Sequence, residues 1–144
     1  MGLFEARYVQ YAPQVSDWQE AIRQAGRPLL DDGKIAQDYI DEILATCRAK
    51  GPYMNIGPDI VLAHARPLPS THEASAAVLL TGTPVKLLDD AAHAARLWIF
   101  LATPDETSHI ALIQQLAMIL MNPERLQGVL AAQSSEELLR RLAG

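Results

Sequence analysis

A layered α/β domain is the fold class this sequence predicts, and three observations predict it. Segments of helical period occupy both ends of the chain, and short apolar runs of strand character lie between them. One of those runs, "ARLWIFLA" from Ala95 to Ala102, is apolar on both faces from Leu97 to Leu101, as a central strand should be. At 144 residues, 49% of them hydrophobic and 20% charged, the chain has the length and the apolar content of one soluble domain over 1–144 with a substantial core.

The elements follow in order. Ser16 and Asp17 are N-cap residues for a first helix whose stripe is Trp18, Ile22, Leu29 and Leu30, and Asp31-Asp32-Gly33 stops it. A second helix is predicted from about Ile35 through Lys50, with Ile35, Tyr39, Ile40, Ile43, Leu44 and Cys47 inward. Gly51-Pro52 closes it, since glycine tolerates positive φ and proline cannot continue the ladder. Ile60-Val61-Leu62 and Ala74–Leu80 then read as strands. Thr81-Gly82-Thr83-Pro84 reads as a turn, and Pro84–Leu87 as a short edge strand. After the central strand, Thr103-Pro104-Asp105-Glu106 fits a helix start with Thr103 as the cap. Ile113, Leu116, Ala117 and Leu120 form that helix's expected buried stripe. Asn122-Pro123 introduces a short helix with Leu126, Val129 and Leu130. Ser134-Ser135-Glu136-Glu137 caps a last amphipathic one through Leu142.

Composition removes several function classes. The net charge is −5, and the 12 basic residues are scattered, so no cationic footprint for nucleic acid exists. No apolar run approaches the ~20 residues that span a bilayer, and Glu5 and Arg7 interrupt what a signal peptide would need. Cys47 is the only cysteine, which rules out an internal disulfide and agrees with a reducing compartment. The cytoplasm is therefore the expected location. An acidic surface suits transient docking on a basic partner protein.

Two of the four histidines stand where secondary structure changes. His64 ends the "IVL" strand in "GPYMNIGPDIVLAHARP", and His109 lies near the start of the helix after the strongest strand. Strand ends and helix starts are where open α/β sheets gather ligands. His109 precedes Ile113, Leu116 and Leu120 by four, seven and eleven residues, which aims its ring along the core-facing stripe toward the sheet's rim. A neutral imidazole is nucleophilic near pH 7 and can carry a phosphoryl group in a labile bond. A second imidazole N–H or a guanidinium would hold the phosphoryl oxygens, with His109 for the first and Arg66 or Arg48 for the second. No metal or cofactor is needed for such a scheme. The plainer alternative is that each is an ordinary loop histidine bonded to a neighbouring carbonyl. Zinc spacing and a Gly-x-Ser-x-Gly nucleophile elbow are both lacking.

The His64 segment resembles the active-site segment of type-2 EIIA domains, the mannitol/fructose class, of the bacterial phosphoenolpyruvate-dependent sugar phosphotransferase system. Within the class it is most similar to the ascorbate-type proteins, through "GPY", the spaced Ile56 and Pro58, and His64-x-Arg66-Pro67. "DWQEAI", "ATPDETSHIALIQQLA" and "SSEELLRRL" fall in the family's order, so the resemblance covers nearly the whole chain. It implies a mixed sheet flanked by helices on both faces. It implies a phosphotransferase that takes phosphate from the phosphocarrier HPr on His64. The phosphate then passes to a cysteine of an EIIB partner, and so to a sugar entering through a membrane EIIC permease. His109 corresponds to the family's second active-site histidine, and Arg48 by spacing to an arginine that mannitol-type members carry on the preceding helix. Two positions depart from the pattern. Ala63 stands where proline usually precedes the histidine, and Asp59 stands where glycine often precedes the apolar triplet. These leave room for an alternative, a regulatory binding module of the same fold whose partner affinity is switched by phosphorylation of His64.

His72 and His93 read as exposed, Trp18 and Trp98 as packing residues, and Cys47, Met118 and Met121 as core filler. An apolar rim containing the two methionines could also serve partner docking.

Overall fold

The computed structural model describes residues 4–143. Its order is β1 (Val9–Ala12), α1 (Trp18–Asp31), α2 (Gln37–Lys50), β2 (Asn55–Gly57), β3 (Asp59–Ala63), β4 (Ser75–Lys86), β5 (Ala94–Ala102), α3 (Glu106–Leu120), α4 (Pro123–Leu130) and α5 (Ser135–Ala143). The five strands form one mixed sheet in the order β1-β4-β5-β3-β2. The pairs β1–β4 and β3–β5 are parallel, while β4–β5 and β2–β3 are antiparallel.

Helices cover both faces, and strand alternation decides which residues meet which helices. Val61, Ala63, Trp98 and Phe100 pack against α1 and α2 through Ile22, Leu29, Tyr39 and Ile43. Their neighbours Ile60, Leu62, Leu97 and Ile99 pack against α3, α4 and α5 through Leu116, Ile119, Val129 and Leu138. Both faces of the central strands are thus dry, which is why β5 reads as an unbroken apolar run. Two helix starts use caps that the sequence marks. Asp17 accepts from Glu20 N at 2.8 Å and Asn122 from Arg125 N at 3.2 Å. The cap of α3 is Asp105, not Thr103: its carboxylate takes Ser108 N at 2.8 Å, while Thr103 is buried at the end of the sheet.

The sheet is more extensive than periodicity predicts. β1 and β2 are four and three residues long, too short for a pattern to declare itself. β4 runs straight through Thr81-Gly82-Thr83-Pro84, where a turn is predicted. The ladder to β5 breaks between Leu80 and Val85, and Thr83 N–H instead bonds Pro13 O at 3.1 Å. Gly82 is there for close approach, because a Cβ would sit 2.8 Å from Pro13 O. Pro84 falls inside the irregular stretch, where the missing N–H is not asked for. On α3 the fully buried positions are Leu116 and Ile119. The face with Ile113, Ala117 and Leu120 lines an apolar groove of about 550 Å³, and Met118 and Met121, expected as core, are 74% and 81% exposed.

Candidate active site

β3 and β5 run parallel, with Ala63 opposite Phe100 at the last pair. Beyond it, one chain leads to His64 and the other through Thr103 into α3. Since Ala63 packs toward α1 and α2 and Leu62 toward α3, alternation places His64 on the α3 side. His109, the fourth residue of α3, stands in its first turn over the same rim, and the two ring centroids are 5.6 Å apart. The convergence expected from strand end and helix start is what the fold produces.

His64 is held in one orientation. Its Nδ1–H donates to the Leu62 carbonyl at 2.8 Å, which fixes the tautomer and leaves the Nε2 lone pair unused. Tyr53 stands edge-on to the ring, 6.0 Å between centroids at 77°. Burial pushes the imidazole below its ordinary pKa of 6.5. The Leu62 carbonyl pulls the other way, and His109 adds to the lowering. At neutral pH the ring is accordingly uncharged and nucleophilic.

Both histidines line an open cleft of about 1160 Å³, together with Tyr53 and the α2 face of Glu42, Thr46 and Ala49. Arg66 and Lys50 supply cations to it, and Glu106 supplies a carboxylate at the first turn of α3. Arg48 is not among these residues. Its guanidinium lies 5.7 Å from the Trp18 ring centre, on the α1 side of its helix. Residues 45, 46 and 49 share the helical face that sees the cleft, and position 48 is turned away from it. Arg48, expected as a phosphoryl-stabilising candidate, thus lies outside the cleft lining, and Lys50 is the cation at that end of α2 that sequence reasoning passed over. Tyr53 was legible only as part of "GPY". Asp59, one of the two departures from the family pattern, lines the apolar groove rather than the cleft, with φ +68°.

The loop after His64 is tied to α2 and to the turn before it. Ser70 Oγ donates to Asp38 at 2.6 Å, Lys34 pairs with Glu73, and Ala65 N–H donates to Tyr39 Oη at 3.1 Å. Of the remaining histidines, His72 is exposed. His93 is half-buried rather than exposed, its Nδ1 donating to Asn55 Oδ1 at 2.8 Å. Among the described residues no group of three or more His, Cys, Asp or Glu side chains is placed to hold a metal ion, and no helix is long and apolar enough to cross a membrane.

A mixed sheet clothed by helices on both faces, with two imidazoles facing each other at its rim, is the architecture of one phosphotransfer class. The chain belongs to that class: residues 2–144 match the family "Phosphoenolpyruvate-dependent sugar phosphotransferase system, EIIA 2". It is therefore a phosphotransferase component, acting in phosphoryl transfer for sugar uptake. Among its relatives, the mannitol-specific cryptic phosphotransferase enzyme IIA component of Escherichia coli is 34% identical over 128 residues, 85% of this chain and 82% of that protein. The solution structure of the E. coli mannitol-specific cryptic enzyme IIA, CmtB, superposes with a TM-score of 0.90 at 29% identity, covering 98% of this chain and 95% of that one. The ascorbate-specific EIIA component of E. coli is also similar, at 22% identity over 96% of this chain and 90% of that protein. The ascorbate-type likeness of the His64 segment thus sits in a chain whose identity to the mannitol-type relative is higher.

Proposed function

We propose that His64 Nε2 is the phosphoryl acceptor and that this chain relays phosphate from phospho-HPr to a cysteine of an EIIB partner, in the cytoplasm, on behalf of an EIIC permease. The observation that carries the reading is the 2.8 Å bond from His64 Nδ1 to Leu62 O, which leaves Nε2 as the free nucleophile in an open cleft beside His109. In the first step the Nε2 lone pair forms the bond to phosphorus as the bond between phosphorus and the donor breaks. In the second, the cysteine sulfur of EIIB forms its bond to phosphorus as Nε2–P breaks. The proton stays on Nδ1, hydrogen-bonded to the Leu62 carbonyl, through both steps, so His64 needs no base in the first, and the EIIB cysteine attacks as its thiolate in the second. A ring N–H of His109 and the guanidinium of Arg66 donate to the phosphoryl oxygens, and Lys50 adds positive charge. The partner assignment has support from a solved complex of E. coli enzyme IIA-mannitol with phosphorylated enzyme IIB-mannitol, whose IIA fold this chain shares.

Incubation with phosphoenolpyruvate, enzyme I and HPr tests the scheme. Label is expected on the wild type and absent from His64→Ala, and His109→Ala should slow its arrival roughly 10²-fold, the effect of removing one preorganised donor. Arg66→Ala should slow transfer about tenfold, less because Arg66 is exposed, while Arg48→Ala leaves the rate unchanged. A labelled His64→Ala protein rejects the acceptor assignment, and an unslowed His109→Ala rejects the donor role. The regulatory alternative gains if label arrives and no EIIB drains it.

A further inference from the structure

We propose that the Tyr39 hydroxyl is a positioning group for phosphoryl transfer: inserted in the ladder between β3 and β5, it sets the separation of the chain segments that carry His64 and His109. The inference rests on the reading of His64 as acceptor and goes beyond it. Tyr39 lies in the first turn of α2, 1% exposed, with its phenol reaching across to the ends of both strands. Its Oη donates to Leu101 O at 2.7 Å and accepts from Ala65 N–H at 3.1 Å.

The register shows what that hydroxyl replaces. β3 and β5 pair in parallel as Val61 with Trp98, Leu62 with Ile99 and Ala63 with Phe100. Leu62 N–H is turned the other way, to Met54 O at 2.8 Å, so the N–H groups of residues 61, 63 and 65 face β5. Continued by one more bond, a parallel ladder would run from Ala65 N–H to Leu101 O. Those are the two groups that Tyr39 bridges. One direct bond of about 2.9 Å is replaced by two bonds meeting at an oxygen, so the strands are held apart at the level of His64. Beyond the wedge one chain turns into the His64 loop and the other into the cap and first turn of α3. The rings come to rest 5.6 Å apart, rather than drawn together by a closed sheet.

The wedge is itself rigid. The Tyr39 ring packs edge-on to Phe100, 5.9 Å between centroids at 66°. Burial pushes the phenol to a pKa of about 12, so it remains a hydroxyl, able to donate and accept at once. Neither sequence nor site chemistry calls for a tyrosine here, because its oxygen touches no reacting atom.

Tyr39→Phe keeps the ring and deletes the wedge. Ala65 N–H and Leu101 O then either close on each other or stand unpaired, and both outcomes move the imidazoles. In ¹⁵N spectra the ring nitrogens of His64 and His109 are expected to shift in Tyr39→Phe. Phosphoryl transfer from phospho-HPr should fall in kcat on the order of 10²-fold, the effect of a misplacement of about 1 Å, with KM little changed. Ile43→Val, a core variant with a comparable loss of stability, should keep the wild-type kcat. His109→Ala slows the wild type and should add little to Tyr39→Phe. Wild-type kcat in Tyr39→Phe, a loss no larger than that of Ile43→Val, or full multiplication of the Tyr39→Phe and His109→Ala effects would each overturn the proposal while leaving His64 as acceptor. A wild type that takes no label on His64 overturns the acceptor reading, and the positioning role with it.

Discussion

His64 is a histidine whose neighbours matter more than its own type. Taking the ring out of water disfavours the imidazolium, and this outweighs the Leu62 carbonyl that favours it. The folded state therefore binds its proton less tightly than the unfolded chain, whose His64 titrates near the ordinary 6.5. Below that value the unfolded chain is protonated while the folded one is not, so stability falls as pH drops from 6.5 toward the depressed folded value, then levels. Urea midpoints between pH 8 and 5 should fall more steeply for the wild type than for His64→Gln, in which the other histidines are unchanged. Parallel slopes would mean that burial does not govern this ring. At this scale the two histidines were legible because strand end and helix start are sequence features. Arg48 stands apart from them because spacing along a helix gives a residue's height, whereas the cleft selects by face.

Among elements, the β2–β3 hairpin shows how a departure from pattern can be local chemistry. Asp59 occupies φ +68°, a region where an L side chain crowds the following carbonyl by roughly 1–2 kcal/mol and glycine does not. Aspartate is one of the few other residues that enter it readily. The hairpin is held by Asn55, whose Nδ2 donates to Gly57 O and Ile60 O, both at 2.9 Å, while its Oδ1 takes the His93 ring. Asp59→Gly is thus expected to unfold within about 1 kcal/mol of the wild type, on the more stable side. Asp59→Val should lose about 1–3 kcal/mol, since a β-branched residue there is strained. Urea denaturation decides between these, and equal losses for both substitutions would place the effect in the lost carboxylate rather than the backbone. A glycine at the same position in the family pattern was the readable signal. β1, β2 and the bulged middle of β4 were not readable, because their residues are chosen by neighbours across the sheet. Gly82 and Pro84 have turn chemistry in isolation, and only the approach of Pro13 explains them as strand.

Across the whole molecule, the site depends on how closely α1 lies on the sheet. Gly26 permits that approach: a Cβ there would stand 2.5 Å from Phe100 Cε2, nearer than carbon atoms allow. Phe100 is fully buried, pairs with Ala63 in the ladder, and carries the Tyr39 ring on its edge. A methyl at position 26 therefore pushes on the ring that supports the Tyr39 wedge, through a core with no slack. Gly26→Ala would gain helix propensity of about 1 kcal/mol in an open helix. Here overpacking of typically 1–3 kcal/mol should exceed that gain and destabilise the protein. Phe100→Leu alone should be destabilising through lost packing. In the double variant the leucine leaves room for the methyl, so the combined loss should be smaller than the sum of the two single losses. Chemical denaturation of the four proteins gives the comparison. Strict additivity would show that helix and sheet adjust independently, and the chain of contact from α1 through Phe100 to the histidine rim would then have no mechanical content.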